Sequence, residues 1–267
     1  MIQDGRARDN LMRGPMPIEI DYNSFQVVAI LATYLLAAFV KGVTGLGFST
    51  TCLPFLVVVV GLKEALPLLI IPSVSSNLMV MYRAGHFAET VRRFWPMLLA
   101  TVPGLILGLW ALSVVDGKQA GGALGVILLL WCTFSLAKPD IRLSTQLERK
   151  LGPASGFLTG LVNGLTGSQV MPSVPFLMSL HLQRNVFVQA ANCSFTLGSI
   201  VMAIGLERLG LFSSSAILIS VSGTVVVFFG LKVGEAVRDT LSPERFRLMV
   251  LLMLIAMGLS LLYRALC

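Results

Sequence analysis

Two glycine-rich runs hold the residues best suited to handling a solute. The first reads Lys41-Gly42-Val43-Thr44-Gly45-Leu46-Gly47-Phe48-Ser49-Thr50-Thr51, and the second reads Asn163-Gly164-Leu165-Thr166-Gly167-Ser168-Gln169. Glycines this close together, with hydroxyls following, suit a break between two half-helices, because glycine accepts backbone angles that other residues avoid. A helix restarting after such a break leaves its first N–H groups free, and these attract negative charge. Two such starts, one per run, would converge near the middle of a membrane on an anion. The same glycines would also let helices pack closely. Spacing alone divides the two uses evenly; recurrence of the run favours a site.

A site of this kind would draw on Lys41, Thr44, Gly45, Gly47, Ser49 and Thr50 from the first run. From the second it would draw on Asn163, Thr166, Gly167, Ser168 and Gln169, with Asn77 and Asn192 from apolar segments farther along. Lys41 is a basic residue within an apolar stretch, a costly position that points to function, although its long stem could also carry the charge to the interface. Asn77 and Asn192 must find partners in an apolar setting, either as ligand donors or as glue between helices; Gln189 carries the same ambiguity. His86, in a basic loop, and His181, at the end of a span, read as interfacial.

The chemistry this inventory excludes is as useful. There is no His pair, no pair of buried carboxylates and no nucleophile beside a base, so an enzyme is not expected. Cys52, Cys132 and Cys193 lie in apolar segments and Cys267 at the terminus, without metal-ligand or disulfide spacing, so neither a metal nor a cofactor is expected. Glu64 and Glu235 sit near span ends, which leaves no deep carboxylate to relay protons. An anion leaving an inside-negative cell gains about 2.3 kcal/mol per charge per 100 mV. Export driven by that potential needs no coupling ion.

The elements that must position these residues are membrane helices. Of 267 residues, 55% are hydrophobic and only 12% charged, and the mean hydropathy is +0.84. A soluble domain carries about 25% charged residues, so this surface must face lipid. Several charge-free stretches reach the roughly 17–25 residues a helix needs to cross a bilayer. The net charge of +7 lies between apolar spans and reads as a topology signal, not as a nucleic-acid surface. Residues 1–24 are polar and show no apolar segment ahead of a cleavage site, so no removable signal peptide is expected.

Four landmarks recur in order: the glycine run, a Pro-Phe-Leu at 54–56 and 175–177, an asparagine at 77 and 192, and a GxxxG at Gly104/Gly108 and Gly230/Gly234. The chain therefore reads as a polar tail (1–24), a first transmembrane repeat (25–137), a cytoplasmic linker (138–151) and a second repeat (152–267). Each repeat holds five helical segments, near 25–41, 46–61, 64–82, 94–115 and 119–137, then 153–165, 168–181, 185–206, 211–234 and 246–264. The opening pair of each is short or re-entrant. An odd number of segments inverts the second repeat relative to the first, a plan common among secondary transporters. Most Lys and Arg fall on the side holding the 83–93 loop and the linker, which places that side in the cytoplasm and both termini outside. Arg6, Arg8 and Arg13 in the tail oppose this orientation.

At the two glycine runs the sequence resembles the sulfite exporter TauE/SafE family of bacterial inner-membrane proteins. The resemblance rests on Lys41 through Phe48 with Pro54, and on Gly160-Leu161-Val162-Asn163-Gly164-Leu165-Thr166-Gly167-Ser168 with Pro172 and Pro175. The second run lacks the Gly-Pro pair expected after its Thr-Gly. The resemblance implies an all-α polytopic transporter of small anions such as sulfite, sulfoacetate or another organosulfonate, in either direction. The expected partners are the anion and the lipid bilayer, not nucleic acid, and a homo-oligomer stays open. Alternating access by a carrier is the leading expectation, and an anion channel with the same helix ends is the other.

Overall fold

The computed structural model describes residues 22–137 and 140–267, all of whose regular structure is helical. The helices are α1 (Ser24–Thr44), α2 (Phe48–Val60), α3 (Leu62–Ala84), α4 (Phe87–Val114), α5 (Gly117–Ala137), α6 (Thr145–Thr166), α7 (Ser173–Ser179), α8 (Arg184–Arg208), α9 (Ser214–Val237) and α10 (Pro243–Leu266). Most of the expected tail and two residues of the expected linker, 138 and 139, lie outside the described residues. Seven helices, α1, α3, α4, α5, α8, α9 and α10, are long and apolar enough to cross a membrane. The shortness expected of each opening pair falls on its second member. At about 1.5 Å per residue, the 13 residues of α2 and the 7 of α7 are too short for a hydrocarbon core of about 30 Å.

Two boundaries differ from the expectation for one reason. Helix α4 begins at Phe87 and α6 at Thr145, ahead of the charge-free stretches near 94–115 and 153–165. Most of the 83–93 loop and half of the linker are thus helical. Charged first turns are stable here because they pair: Arg93 Nε and Nη2 donate to the two Glu148 carboxylate oxygens at 2.7 and 2.9 Å, which ties α4 to α6. Helix starts elsewhere have local causes. Asn23 and Gln26 form a reciprocal cap at the start of α1, and Ser144 and Ser213 cap α6 and α9.

Packing uses one scheme twice. α1 packs on α9 as α6 packs on α4; α3 meets α8, and α5 meets α10; α3 also touches α9 as α8 touches α4. Counted along each run of five, the α1–α9 and α3–α9 contacts exchange into α6–α4 and α8–α4, while α3–α8 and α5–α10 map onto themselves. Small residues make the closest crossings. A Cβ at Gly104 or Gly108 would strike the carbonyls of Phe157 and Leu161, and one at Gly156, Gly160 or Gly164 those of Met97, Thr101 and Leu105. On the other pair, a Cβ at Gly234 would strike the Phe39 carbonyl and one at Gly42 that of Leu231. Because backbone cannot retreat as a side-chain tip can, Gly160→Val is expected to cost more than the roughly 1–3 kcal/mol of ordinary overpacking. Thermal unfolding in detergent checks it against Gly117→Ala, where a Cβ meets nothing within 4 Å and no loss of melting temperature is expected.

Proline shapes the interior. Pro72 has no N–H, so the Leu68 carbonyl lacks its helical partner. Tyr34 Oη and Ser220 Oγ donate to that carbonyl at 2.6 and 3.1 Å, from α1 and α9 respectively. One helix irregularity is thereby used to join three helices. Large apolar side chains such as Trp95, Leu99 and Trp110 on α4 and Val225 and Phe229 on α9 face outward, as a surface bathed in lipid requires.

Candidate functional site

Helix α1 stops at Thr44 because Gly45 turns left-handed, with φ 84°, and α6 stops at Thr166 because Gly167 does so with φ 76°. Both stops use the same bonds. The glycine N–H returns to the carbonyl of residue 41 or 163 at 2.7 Å. The threonine hydroxyl donates to Val40 or Val162 at 2.9 or 2.7 Å, and accepts from the N–H of Leu46 or Ser168 at 3.2 Å. Thr44, Gly45, Thr166 and Gly167 therefore build the breaks. Asn192, on α8, supports the first break by donating to the Gly45 and Val188 carbonyls at 3.3 and 2.8 Å.

Beyond the glycine turn the two breaks diverge. Helix α2 restarts after Gly47 with no side-chain cap, and Thr51 N–H to the Gly47 carbonyl, at 2.9 Å, is its first backbone bond. The N–H groups of Phe48, Ser49 and Thr50 are the unpaired donors of a helix start. The second run does not mirror this, contrary to the expectation of two converging helix starts. Residues 168–170 are non-helical, residues 171 and 172 form a turn, and the seven-residue α7 begins only at Ser173. Pro172 and Pro175 have no N–H, and the Val174 and Phe176 N–H groups bond to Val170 and Pro172. The second break therefore contributes a side chain, Gln169, in place of a helix terminus.

Between the breaks lies a small enclosed cavity of about 10 Å³ lined by Lys41, Gly47, Phe48, Ser49, Thr50, Asn77, Gln169, Val170 and Phe195. That is room for about one water molecule. Lys41 stands one turn before the α1 break and is 1% exposed; its ammonium turns into the protein instead of snorkelling to the interface. The Lys41 Nζ donates to Ser76 Oγ at 3.2 Å and to Asn77 Oδ1. Among the described residues no carboxylate pairs with Lys41. Asn77 Nδ2 is buried without a partner. Gln169 Nε2 donates to Ser199 Oγ at 3.0 Å and its Oε1 is unpartnered. A hydroxyl donates as readily as it accepts, so turning the amide over keeps that bond and presents an NH2 to the cavity. Ser49 Oγ shares a hydrogen bond with Ser73 Oγ at 3.0 Å. The cavity thus combines one cation, unpaired amide and backbone donors, and no negative charge.

Of the sequence candidates, Lys41, Gly47, Ser49, Thr50, Asn77 and Gln169 share this cavity. Asn163 and Ser168 are each 1% exposed but do not line it; Asn163 Oδ1 and Ser168 Oγ are unpartnered. Asn163 reaches α8 at Gly198, where a Cβ would lie 2.8 Å from its Nδ2. The two asparagines expected to correspond stand at different heights. Counted from the first residue of each helix, Ser199 on α8, and not Asn192, matches Asn77 on α3. Lys41 with Ser76 and Asn77, and Asn163 with Gly198, are then the corresponding junctions. Gln189 joins helices: with its nitrogen facing α3, its amide donates to the Met81 and Gly85 carbonyls at 2.9 and 2.7 Å.

A second cavity, of about 910 Å³, shares Gly47, Thr50, Val170 and Phe195 with the first and is also lined by Arg184, Arg238 and Arg247. These arginines read in the sequence only as topology charges, because they come from three separate segments that meet in the fold alone. His181 also lines this vestibule, and its Nε2 lies 2.9 Å from an Asp140 carboxylate oxygen. That contact, with Arg142 nearby, holds the Asp140 carboxyl below the usual carboxylate range.

No curated protein and no solved structure matches the chain. A family model described as sulfite exporter TauE/SafE matches residues 30–261, a span that contains both breaks, the enclosed cavity and every residue of the vestibule wall. The chain belongs to the TauE/SafE sulfite exporter family, and is a multi-pass membrane protein of a transporter family.

Proposed function

We propose that this protein is a secondary carrier that moves sulfite or an organosulfonate such as sulfoacetate across the bacterial inner membrane by alternating access. The observation that carries this reading is Lys41: a fully buried ammonium with no carboxylate partner among the described residues, beside an unpaired amide N–H and a free helix start. Burying a charge costs several kcal/mol unless a partner offsets it, and an anionic substrate would be that partner. Lys41, Asn77, Ser49, Thr50 and Gln169 hold the anion, and the α2 N–H groups approach it from the first break. The exchange of helix contacts between 25–137 and 152–267 supports two inverted repeats that rock about the site. The excess of basic residues beside the vestibule supports a cytoplasmic mouth, with both termini outside.

A carrier is favoured over a channel because the vestibule narrows to a water-sized space before it meets Lys41. A sulfur oxyanion cannot pass without a change of conformation. The test is efflux of labelled sulfite, sulfoacetate and sulfate from proteoliposomes under an imposed potential. Efflux that saturates with substrate and accelerates when the interior is negative is expected for sulfite or sulfoacetate. Unsaturable currents far above carrier rates would replace the carrier with a channel, and no flux of any of the three would remove the reading.

A further inference from the structure

The vestibule arginines do more than close helix ends. Arg238 Nη2 donates to the Gly42 carbonyl at 2.6 Å, and Arg247 Nη2 donates to the Ser135 carbonyl and, at 3.1 Å, to its hydroxyl. Gly42 and Ser135 lie in the last turns of α1 and α5, where carbonyls have no helical partner. Capping accounts for those bonds, but each uses only one nitrogen of a three-nitrogen fork. Arg238 Nε is buried with no partner at all. Among the described residues, none of Arg184, Arg238 and Arg247 forms an ion pair, and a single carboxylate, Asp239, shares their cavity. The rest of the wall is mostly apolar, with Trp131, Leu182, Phe187, Leu241, Phe246 and Val250. A cavity of this size, apolar with a few convergent charges, is the usual form of an organic-ligand site. Guanidinium forks match the oxygens of a tetrahedral oxyanion, and an inorganic anion would leave the apolar wall uncovered.

We infer that Arg238 and Arg247, with Arg184, form a second anion site in the vestibule, separate from the Lys41 cavity, that takes a sulfonate or sulfate group bearing an apolar substituent. The site's existence is independent of the transport reading; only its use as a loading station for the inner site rests on that reading. An anionic lipid headgroup offers the same oxyanion chemistry, so the test separates the two sources.

The full-length protein in phosphatidylcholine nanodiscs is titrated calorimetrically with butanesulfonate and, separately, with sulfite. Butanesulfonate is expected to bind the Lys41→Met variant within threefold of wild type, and to bind the Arg238→Gln/Arg247→Gln variant at least tenfold more weakly. Because that pair also caps helix ends, Arg184→Gln, which caps nothing, serves as the second variant, with at least threefold weakening expected. Butanesulfonate binding that is unchanged in both arginine variants, or that is lost in Lys41→Met, overturns the second site. Nanodiscs with one quarter phosphatidylglycerol supply the lipid arm: unchanged butanesulfonate affinity supports a free anion, whereas displacement assigns the arginines to a headgroup and overturns the proposal. Failure of the transport reading looks different, because sulfite would then bind Lys41→Met as well as it binds wild type.

Discussion

Lys41→Met is expected to lower sulfite or sulfonate flux by roughly a hundredfold while the protein remains as stable as wild type. Removing one partner of a buried charge pair costs about 2–5 kcal/mol, and each 1.4 kcal/mol is tenfold in affinity. In the empty protein the same substitution acts the other way. It removes a buried ammonium whose desolvation no carboxylate among the described residues offsets, and an apolar side chain of similar length in place of a buried charge is neutral or stabilising. Asn77 Oδ1 loses its donor, a cost of about 1–3 kcal/mol that offsets the gain. Function and stability should therefore separate. Flux in proteoliposomes and thermal unfolding in detergent, run on the same preparation, measure both. Flux within threefold of wild type would remove Lys41 from the anion's path; a large fall in melting temperature would make it a structural residue.

The split between what the sequence made legible and what it did not reflects the range of the forces involved. Charge-free runs gave all ten segments, because lipid exposure is a property of each residue in turn. The starts of α4 and α6 escaped that criterion because Arg93 and Glu148 neutralise each other across 55 positions, a pairing no window contains. Both breaks were readable from Thr-Gly, since the left-handed turn is local. Which side chains enter the cavity was not. Thr44 and Thr166 bond back to their own helices, Asn192 turns to the Gly45 carbonyl, and Gln169 alone of the second run's polar side chains reaches the cavity. At the second break Pro172 and Pro175 have no N–H and the Val174 and Phe176 N–H groups are already bonded, so the start of α7 offers fewer free donors than the glycines by themselves implied.

Asn77→Asp carries the other large effect, with opposite signs for stability and transport. The amide oxygen at this position already accepts from Lys41 Nζ, so the new carboxylate would stand against the ammonium without rearrangement. Two unit charges about 4 Å apart attract by about 4 kcal/mol at an effective dielectric constant of 20, and this pair is closer. The protein would gain an internal counter-ion, and its melting temperature should rise. The cavity would lose its net positive charge and gain a group that repels the substrate, so flux should fall by at least roughly a hundredfold on the same scale of buried charge pairs. Asn77→Ser separates charge from shape: it removes the amide but adds no charge, and a smaller loss of flux with no gain in stability is expected. An aspartate variant that transports like wild type would show that the anion never meets Lys41. One that loses both flux and stability would show that position 77 holds the helices together and that the missing counter-charge has no part in transport. A more stable protein that no longer transports is the outcome that ties the unpaired ammonium to the anion, because only a site left charged for its substrate is improved as a fold and disabled as a carrier by the same carboxylate.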